Sequence, residues 1–414
     1  MSADELSAAV SLKNWLQKHG GGFNSYVKFK QASSGFDIIA GENIPVDTQI
    51  VSCPFSLVIT KDQAQKSLLE ILNVSDNFGE SWSERQWISC YISLHWISGT
   101  EESAPRSLSH FSYFNSLPSP EKLRTPLHFN TVEREAFKGT NLYGATLDRE
   151  RDWFSEWSQC HDAIAKTKAE WVATFNWEKY LTAATYLSSR AFPSSLLSPT
   201  PSLQPSTSTG PVLLPGVDSL NHARGQPVSW VITYPDANAT ETAVQEPTIS
   251  LVLHMPAAAG QELFNNYGPK PNSELILGYG FSLPNNPDDT IILKVGGIEG
   301  KKWEIGREAR GAEGLWNEIL SSMLEDPESI PTYEDQLDAS GALANMVQAV
   351  LDRLPTEEGD KNADIRPEVA MMLHDYLEGQ RDVLHSLLAF AQGKEDAAIE
   401  IARNEGVDLI LKDD

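Results

Sequence analysis

The chain has 414 residues, 41% of them hydrophobic, with 57 acidic residues against 32 basic ones and a formal net charge of -25. That length asks for about two or three domains, and the apolar content excludes a disordered chain. The charge excludes a general polyanion binder, because neutralising phosphates needs clustered Lys and Arg, so no direct nucleic-acid contact is expected.

Residues 3–19 read as an amphipathic helix, with Leu6, Val10, Leu12, Trp15 and Leu16 near helical spacing and Gly20-Gly21-Gly22 as its stop. This opening is acidic where a signal or transit peptide would be basic. No apolar run of about 18 residues occurs anywhere, so no membrane span is expected. Short β-type runs follow at 25–30, 36–40 and 49–54, separated by turn signals at Gly41, Pro45 and Asp47. From about 61 to 192 the period becomes helical: Trp87, Tyr91 and Trp96 share one face, and 148–175 and 177–189 read as further helices. Residues 193–211 carry five Pro and six Ser with almost no charge, which predicts a mobile loop; phosphorylation there is the sharper alternative.

The β pattern returns at 212–215, 228–233, 248–254, 262–265 and 291–296, with a short helix, NSELILGY, between the last two. Beyond 300 the chain reads as mainly helical, including 335–354 and about 365–391. Residues 325–414 hold 22 acidic and 7 basic residues, a face that either solubilises the helices or attracts a Lys-rich partner. Strands, helical insert, strands and helical tail do not alternate as in a nucleotide-binding sheet. There is no GxGxxG and no GxxxxGK[ST], which disfavours a Rossmann enzyme or an ATPase. Cys53, Cys90 and Cys160 lie far apart, so neither a disulfide framework nor a Cys-rich zinc site is expected. His222 and His254 have no HxH or HxxxH spacing, and no metal is expected. The expected location is cytoplasmic, with the nucleus left open.

Two segments carry the candidate chemistry: LLPGVDSLNHARG at 213–225 and GQELFNNYGPKPNSELILGYGF at 260–281. Taken singly, an Asn-His pair is an ordinary turn, and a Tyr-Gly at a strand end is an ordinary core aromatic. Together, at this separation and between these strands, they resemble the DxxNH and ELFNNYGxxxNxELxxxYGF elements of the SET-domain methyltransferases. The helical insert, SSRAF at 188–192 and the helical tail narrow the resemblance to the Rubisco large-subunit methyltransferase-like branch, which includes ribosomal-protein lysine methyltransferases. SSGFDIIAGENIPVDTQIVSCP, opening at Ser33, is similar to the family's N-terminal strand motif, more loosely.

The resemblance implies an α+β SET fold of short sheets at 23–281, with the helical insert at about 61–192, after an N-terminal helix at 1–22. An all-α substrate-binding domain is implied at 290–414. It implies S-adenosylmethionine as cofactor, a protein-lysine amine as acceptor, and a monomer acting on a basic, non-histone target. Tyr267 matches the tyrosine beside the transferring methyl. Asn221 and His222 match the pair that holds the methionine moiety through backbone groups, and Arg190 matches an arginine that reaches the cofactor carboxylate. Gly35, Phe36 and Asp37 match the turn whose backbone approaches the cofactor. Phe192 and Tyr279 match walls of the lysine channel, and Asp218 matches an acidic residue on the substrate side. Trp230 is read as core packing, with the peptide groove as the alternative. The family turn reads Gly-x-Gly, and Asp37 replaces its second glycine, which lacks glycine's freedom at positive φ. Two other readings stay open: a catalytically silent adaptor for a basic partner, and a protein-histidine methyltransferase, which Phe192 disfavours because that variant carries asparagine there.

Overall fold

The computed structural model describes residues 3–33, 35–204, 206–235, 246–296, 300–324, 326, 329–356, 364–407 and 409. Ser34 of the SSGFD turn, Pro205 of the Pro/Ser segment, and residues 325, 327, 328, 357–363, 408 and 410–414 of the acidic tail lie outside them. The residues form two compact units that do not follow chain order. One contains 1–123 and 149–269, the other 124–148 and 270–414.

The first unit begins with α1 (Ala3–Lys18), which buries Leu12 and Leu16 while Val10 is half exposed. The central sheet is antiparallel. Its order is β1 (Gly22–Phe23), β4 (Thr48–Pro54), β9 (Thr248–Leu253) and β8 (Val228–Thr233). The inner strand β9 is covered on both faces, Ile249, Leu251 and Leu253 lying buried on one and Thr248 and Ser250 on the other. The outer strand β8 has no buried residue. A separate hairpin pairs β2 (Val27–Ala32) with β3 (Gly35–Ala40), and Ile39 bridges Glu262. Across the exposed face, His254 joins Asp47 at 2.7 Å and Ser229 at 2.8 Å, tying the ends of three neighbouring strands.

The insert contributes α2 (Lys61–Leu72), α3 (Glu84–Ile97), α4 (Phe111–Phe114) and α7 (Trp177–Arg190) to this unit. Local chemistry starts these helices: Thr60 caps α2, Ser83 and Gln86 form a reciprocal capping box on α3, and Asn176 caps α7. Trp87 and Tyr91 are buried as their spacing predicted, and Trp96 is half-buried. The Pro/Ser segment is more built than its composition predicts. It starts in β5 (Phe192–Pro193), turns through a 3₁₀ segment at Ser194–Leu197 and closes in β6 (Pro211–Val212), with Leu196 buried. Ser194 supplies two closing bonds, donating its N–H to Gly210 and accepting the Gly210 N–H at its hydroxyl.

Two buried histidines brace the insert. The Leu57 carbonyl accepts from His110 Nε2, so His110 Nδ1 accepts from the Tyr91 hydroxyl at 2.6 Å. His95 Nε2 accepts from the His110 N–H, so its Nδ1 donates to the Tyr91 carbonyl. Each ring is therefore fixed as one neutral tautomer. Burial pushes His110 down to about 4 and His95 down to about 3.

The second unit contains α5 (Thr131–Glu135), the start of α6 (Asn141–Ala165), α8 (Asn272–Tyr279), α9 (Ala312–Met323), α10 (Tyr333–Leu351) and α11 (Pro367–Asn404). It is not purely helical. The hairpin β11 (Thr290–Val295) with β12 (Lys301–Gly306) belongs to it, and β12 corrects the expectation of helix beyond 300. Ile305 on β12 packs into the same core as Leu315, Leu343, Val369, Leu384 and Leu387. The strand exists because its one buried apolar face completes that core, a tertiary effect that its KKWEIG sequence shows weakly. Glu133, fully buried, takes a two-pronged grip from Arg366 at 2.6 Å on each oxygen. Asp289 accepts from the Asn272 backbone at 2.7 Å and from Arg307 at 3.2 Å, and burial pushes it up to about 6.

Replacing Arg366 with Leu leaves Glu133 as an uncompensated buried charge. The expected loss, read by urea unfolding of the full chain, is about 3–5 kcal/mol; a loss below about 1 kcal/mol would contradict the pairing. Stability should also fall as pH drops from 7 to 5. There the unfolded chain takes up protons that buried His95, His110 and His128 refuse, while the raised carboxylates of Asp289, Asp218 and Glu262 work in the opposite sense. A urea midpoint that rises across that interval would contradict neutral burial of these rings.

Candidate active site

The two motif segments meet through a minimal piece of sheet. β7 (Asn221–His222) and β10 (Phe264–Asn265) pair in parallel, Asn221 opposite Phe264 and His222 opposite Asn265. The Ala223 N–H donates to the Asn265 carbonyl at 3.0 Å and extends the ladder. This register carries the chain after β10 back over His222. The Tyr267 N–H donates to His222 Nδ1 at 3.0 Å, and the two rings stack with centroids 5.0 Å apart. The Tyr267 hydroxyl donates to the Leu220 carbonyl at 2.9 Å. Backbone and phenol of Tyr267 are thus anchored at separate points of the segment just before and within β7. Gly268 follows with φ of +87°, a conformation that glycine accepts without strain.

A buried ionic cluster lies against this tyrosine. Arg190, the last residue of α7, directs Nη1 to the Asp218 carbonyl at 3.1 Å and to Asp218 Oδ2 at 3.3 Å. The Tyr113 hydroxyl donates to the same Oδ2 at 2.7 Å. Burial raises Asp218 above the ordinary carboxylate range, although Arg190 and Tyr113 both pull it down. Arg190 remains charged: burial works against the guanidinium, and the Asp218 carboxylate outweighs that. Asp218 has a side chain only 1% exposed, so it points inward to Arg190 and Tyr113 and not to an open substrate face. Its Oδ1 is buried without a hydrogen-bond partner, as is the Asn265 side-chain nitrogen.

Asn221 has a different orientation. Its side-chain amide is exposed and donates to Asp37 at 3.2 Å and to Glu262 at 2.8 Å. Asp37 sits in regular β3 opposite Lys30 and accepts the Asn221 amide. Glu262 is pushed up by burial and by Asp37, and pulled down by Asn221. Gly35 opens β3 at φ of +141°, and a Cβ there would stand 3.1 Å from the Pro118 ring. Phe36 packs edge-on to Phe29 at 5.6 Å. Phe192, two residues beyond Arg190, is buried and meets Trp230 edge-on at 6.4 Å, while the Trp230 indole nitrogen is buried without a partner. Tyr279 belongs to the second unit, where it ends α8 beside Phe281 and under the Lys270 ammonium. Tyr113, Glu262 and Asn265 join the site without having been legible in the sequence. Tyr113 gave no signal, whereas Glu262 and Asn265 lie inside the QELFNN motif.

The architecture can now be compared with known proteins. The structure superposes on the SET domain of LSMT bound to lysine and AdoHcy with a TM-score of 0.74 and 18% identity, covering 95% of this chain and 93% of that one. The chain has the SET fold. No protein-family profile matches it. In sequence it is similar to ribosomal lysine N-methyltransferase set10 of Schizosaccharomyces pombe, 34% identical over 62% of this chain and 41% of the relative. It is also similar to ribosomal lysine N-methyltransferase 1 of Saccharomyces cerevisiae, 31% identical over 44% of this chain and 34% of the relative. Similarity to the actin-histidine N-methyltransferase of Homo sapiens is weaker, 22% over 69% of this chain and 44% of the relative. The chain therefore spans less than half the length of these curated relatives.

The Tyr267–His222 contact makes a direct spectroscopic prediction. Because Nδ1 accepts the Tyr267 N–H, His222 should be the neutral Nε2–H tautomer at pH 7.5. Long-range ¹H–¹⁵N spectra of the imidazoles should show this form, and an Nδ1–H signal for His222 would contradict the arrangement.

Proposed function

We propose that this SET fold works as a protein-lysine N-methyltransferase using S-adenosylmethionine. The observation that carries the reading is the Tyr267 phenol, pinned to the Leu220 carbonyl and stacked on His222, with the Arg190 guanidinium on the Asp218 carbonyl two residues earlier. The residues fit this cofactor by their chemistry. A guanidinium suits its carboxylate, the Asp37 and Glu262 carboxylates suit a cation, and Asn265 holds a buried donor without a partner. When bound, the cofactor supplies a methyl group activated by a sulfonium.

This chain's residues supply position and desolvation. In the proposed assignment Arg190, Asn221, His222, and Gly35 through Asp37 hold the cofactor, Tyr267 orients the acceptor nitrogen, and Phe192 walls the acceptor. A lysine amine has a reference pKa near 10.4, so presenting it neutral near pH 7.4 costs about 4 kcal/mol. An apolar wall such as buried Phe192 with Trp230 lowers that cost by disfavouring the ammonium. Holding donor and acceptor in line then supplies most of the acceleration, and little acid-base machinery is required.

The proposed acceptor is a lysine of a basic ribosomal or translation-related protein. The two yeast similarities support that class, and so does the net charge of -25, with its excess in the last 90 residues. In this reading residues 290–414 bind the target and 23–281 perform transfer. Histidine as acceptor is supported less, by weaker similarity and against an apolar Phe192. A silent adaptor is disfavoured because the Tyr267, Asn221 and His222 constellation is intact.

Cell extract incubated with labelled S-adenosylmethionine and the full chain should yield a labelled band whose modified residue, by mass spectrometry, is lysine. Tyr267→Phe should reduce the labelling rate roughly 10²-fold or more, as expected when a positioned polar group is lost. Capture of the target should weaken steeply with added salt. Equal labelling by both proteins would contradict the role of Tyr267, and salt-independent capture would contradict electrostatic docking.

A further inference from the structure

The helical insert reaches the candidate site at one polar point. Tyr113, on α4, is 1% exposed, and its hydroxyl donates to Asp218 Oδ2 at 2.7 Å. That oxygen also receives Arg190 Nη1, while the same nitrogen reaches the Asp218 carbonyl. One residue, two positions along the chain from the Leu220 carbonyl that takes the Tyr267 hydroxyl, thus fixes a guanidinium. A buried aspartate is a poor anchor by itself, because burial drives it toward the neutral acid. A protonated Asp218 would lose the charge that grips Arg190 and leave the guanidinium on the Asp218 backbone carbonyl.

We infer that Tyr113 is a positioning residue: it keeps the buried Asp218 carboxylate ionised and aimed, so that Arg190 is held ready at the Tyr267 site. Tyr113 touches neither Tyr267 nor His222 by any hydrogen bond or ring contact described; it acts through Asp218. The inference rests on the methyltransferase reading and assigns a role to the insert within it. The groups facing Asp218 are Tyr113 from α4, Arg190 from α7 and Cys53 from β4. Burial raises both the Tyr113 phenol and the Cys53 thiol, so each stays neutral and Asp218 is the member that titrates.

The sign of the effect follows. Below its pKa Asp218 is neutral and its hold on Arg190 weakens to the carbonyl contact, so cofactor binding has an acidic limb. Removing the Tyr113 hydroxyl deprives the carboxylate of a donor and moves that limb to higher pH.

The test is S-adenosylmethionine binding by calorimetry on the full chain from pH 5 to 8. Wild type is compared with Tyr113→Phe, Asp218→Asn and Tyr91→Phe. The last is the structural control, since Tyr91 is a buried insert tyrosine whose hydroxyl goes to His110. We expect Tyr113→Phe to bind about tenfold more weakly at neutral pH, the scale of one hydrogen bond to a charged group, with its acidic limb shifted upward. Asp218→Asn should bind weakly with the Asp218 part of the limb removed and only that of Glu262 left, and Tyr91→Phe should keep the wild-type profile even if its melting temperature falls. If Tyr113→Phe shows the wild-type limb, or Tyr91→Phe shifts it equally, the role of Tyr113 is overturned while the methyltransferase reading stands. If wild type takes up no S-adenosylmethionine at any pH, both fail.

Discussion

Two residues of parallel pairing hold the candidate site together. Asn221–His222 beside Phe264–Asn265 is too short to be stable as an isolated sheet, and its stability comes from what surrounds it. The Leu220 carbonyl takes the Tyr267 hydroxyl, His222 takes the Tyr267 N–H, and the rings stack. Each contact requires the register set by the pairing. A slip of one residue would turn His222 to the other face and strand the phenol. The catalytic reading, the tautomer of His222 and the position of Arg190 all inherit their geometry from this bridge.

Around it the protein spends polar groups in two ways. Outside, Asn221 mediates between two carboxylates, Asp37 and Glu262, on an exposed edge. Inside, Asp218 and Arg190 form an ion pair that burial makes expensive and Tyr113 sustains. A buried ion pair contributes little to net stability, but it fixes direction. The second unit uses the same device twice, in Glu133 with Arg366 and in Asp289 with Arg307. In each case a buried carboxylate holds an arginine from another segment, 233 positions away for Glu133, 28 for Asp218 and 18 for Asp289.

The sequence pattern identified most of the elements because their causes are local. Period-two runs became β3, β4, β8 and β9, and helical spacing became α3 and α7. β12 escaped because its single buried face is meaningful only against the core of α9, α10 and α11. The Pro/Ser segment looked featureless because serine hydroxyls that close turns on backbone groups leave no periodic trace. The site was legible where chemistry is written into a motif, as for Asn221, His222 and Tyr267.

What the sequence determined by itself was the kind of chemistry. It supplied a phenol, an asparagine–histidine pair, an arginine ahead of a buried aromatic, and a strongly acidic chain. Tertiary structure decided which way those groups face. It turned Asn221 outward to Asp37, 184 positions earlier, sank Asp218 beneath Tyr113, 105 positions away, and assigned Tyr279 to the other unit. The physical reason is that backbone periodicity is set by neighbours along the chain. A polar side chain, in contrast, chooses its partner by burial and distance, and those exist only once remote segments have packed.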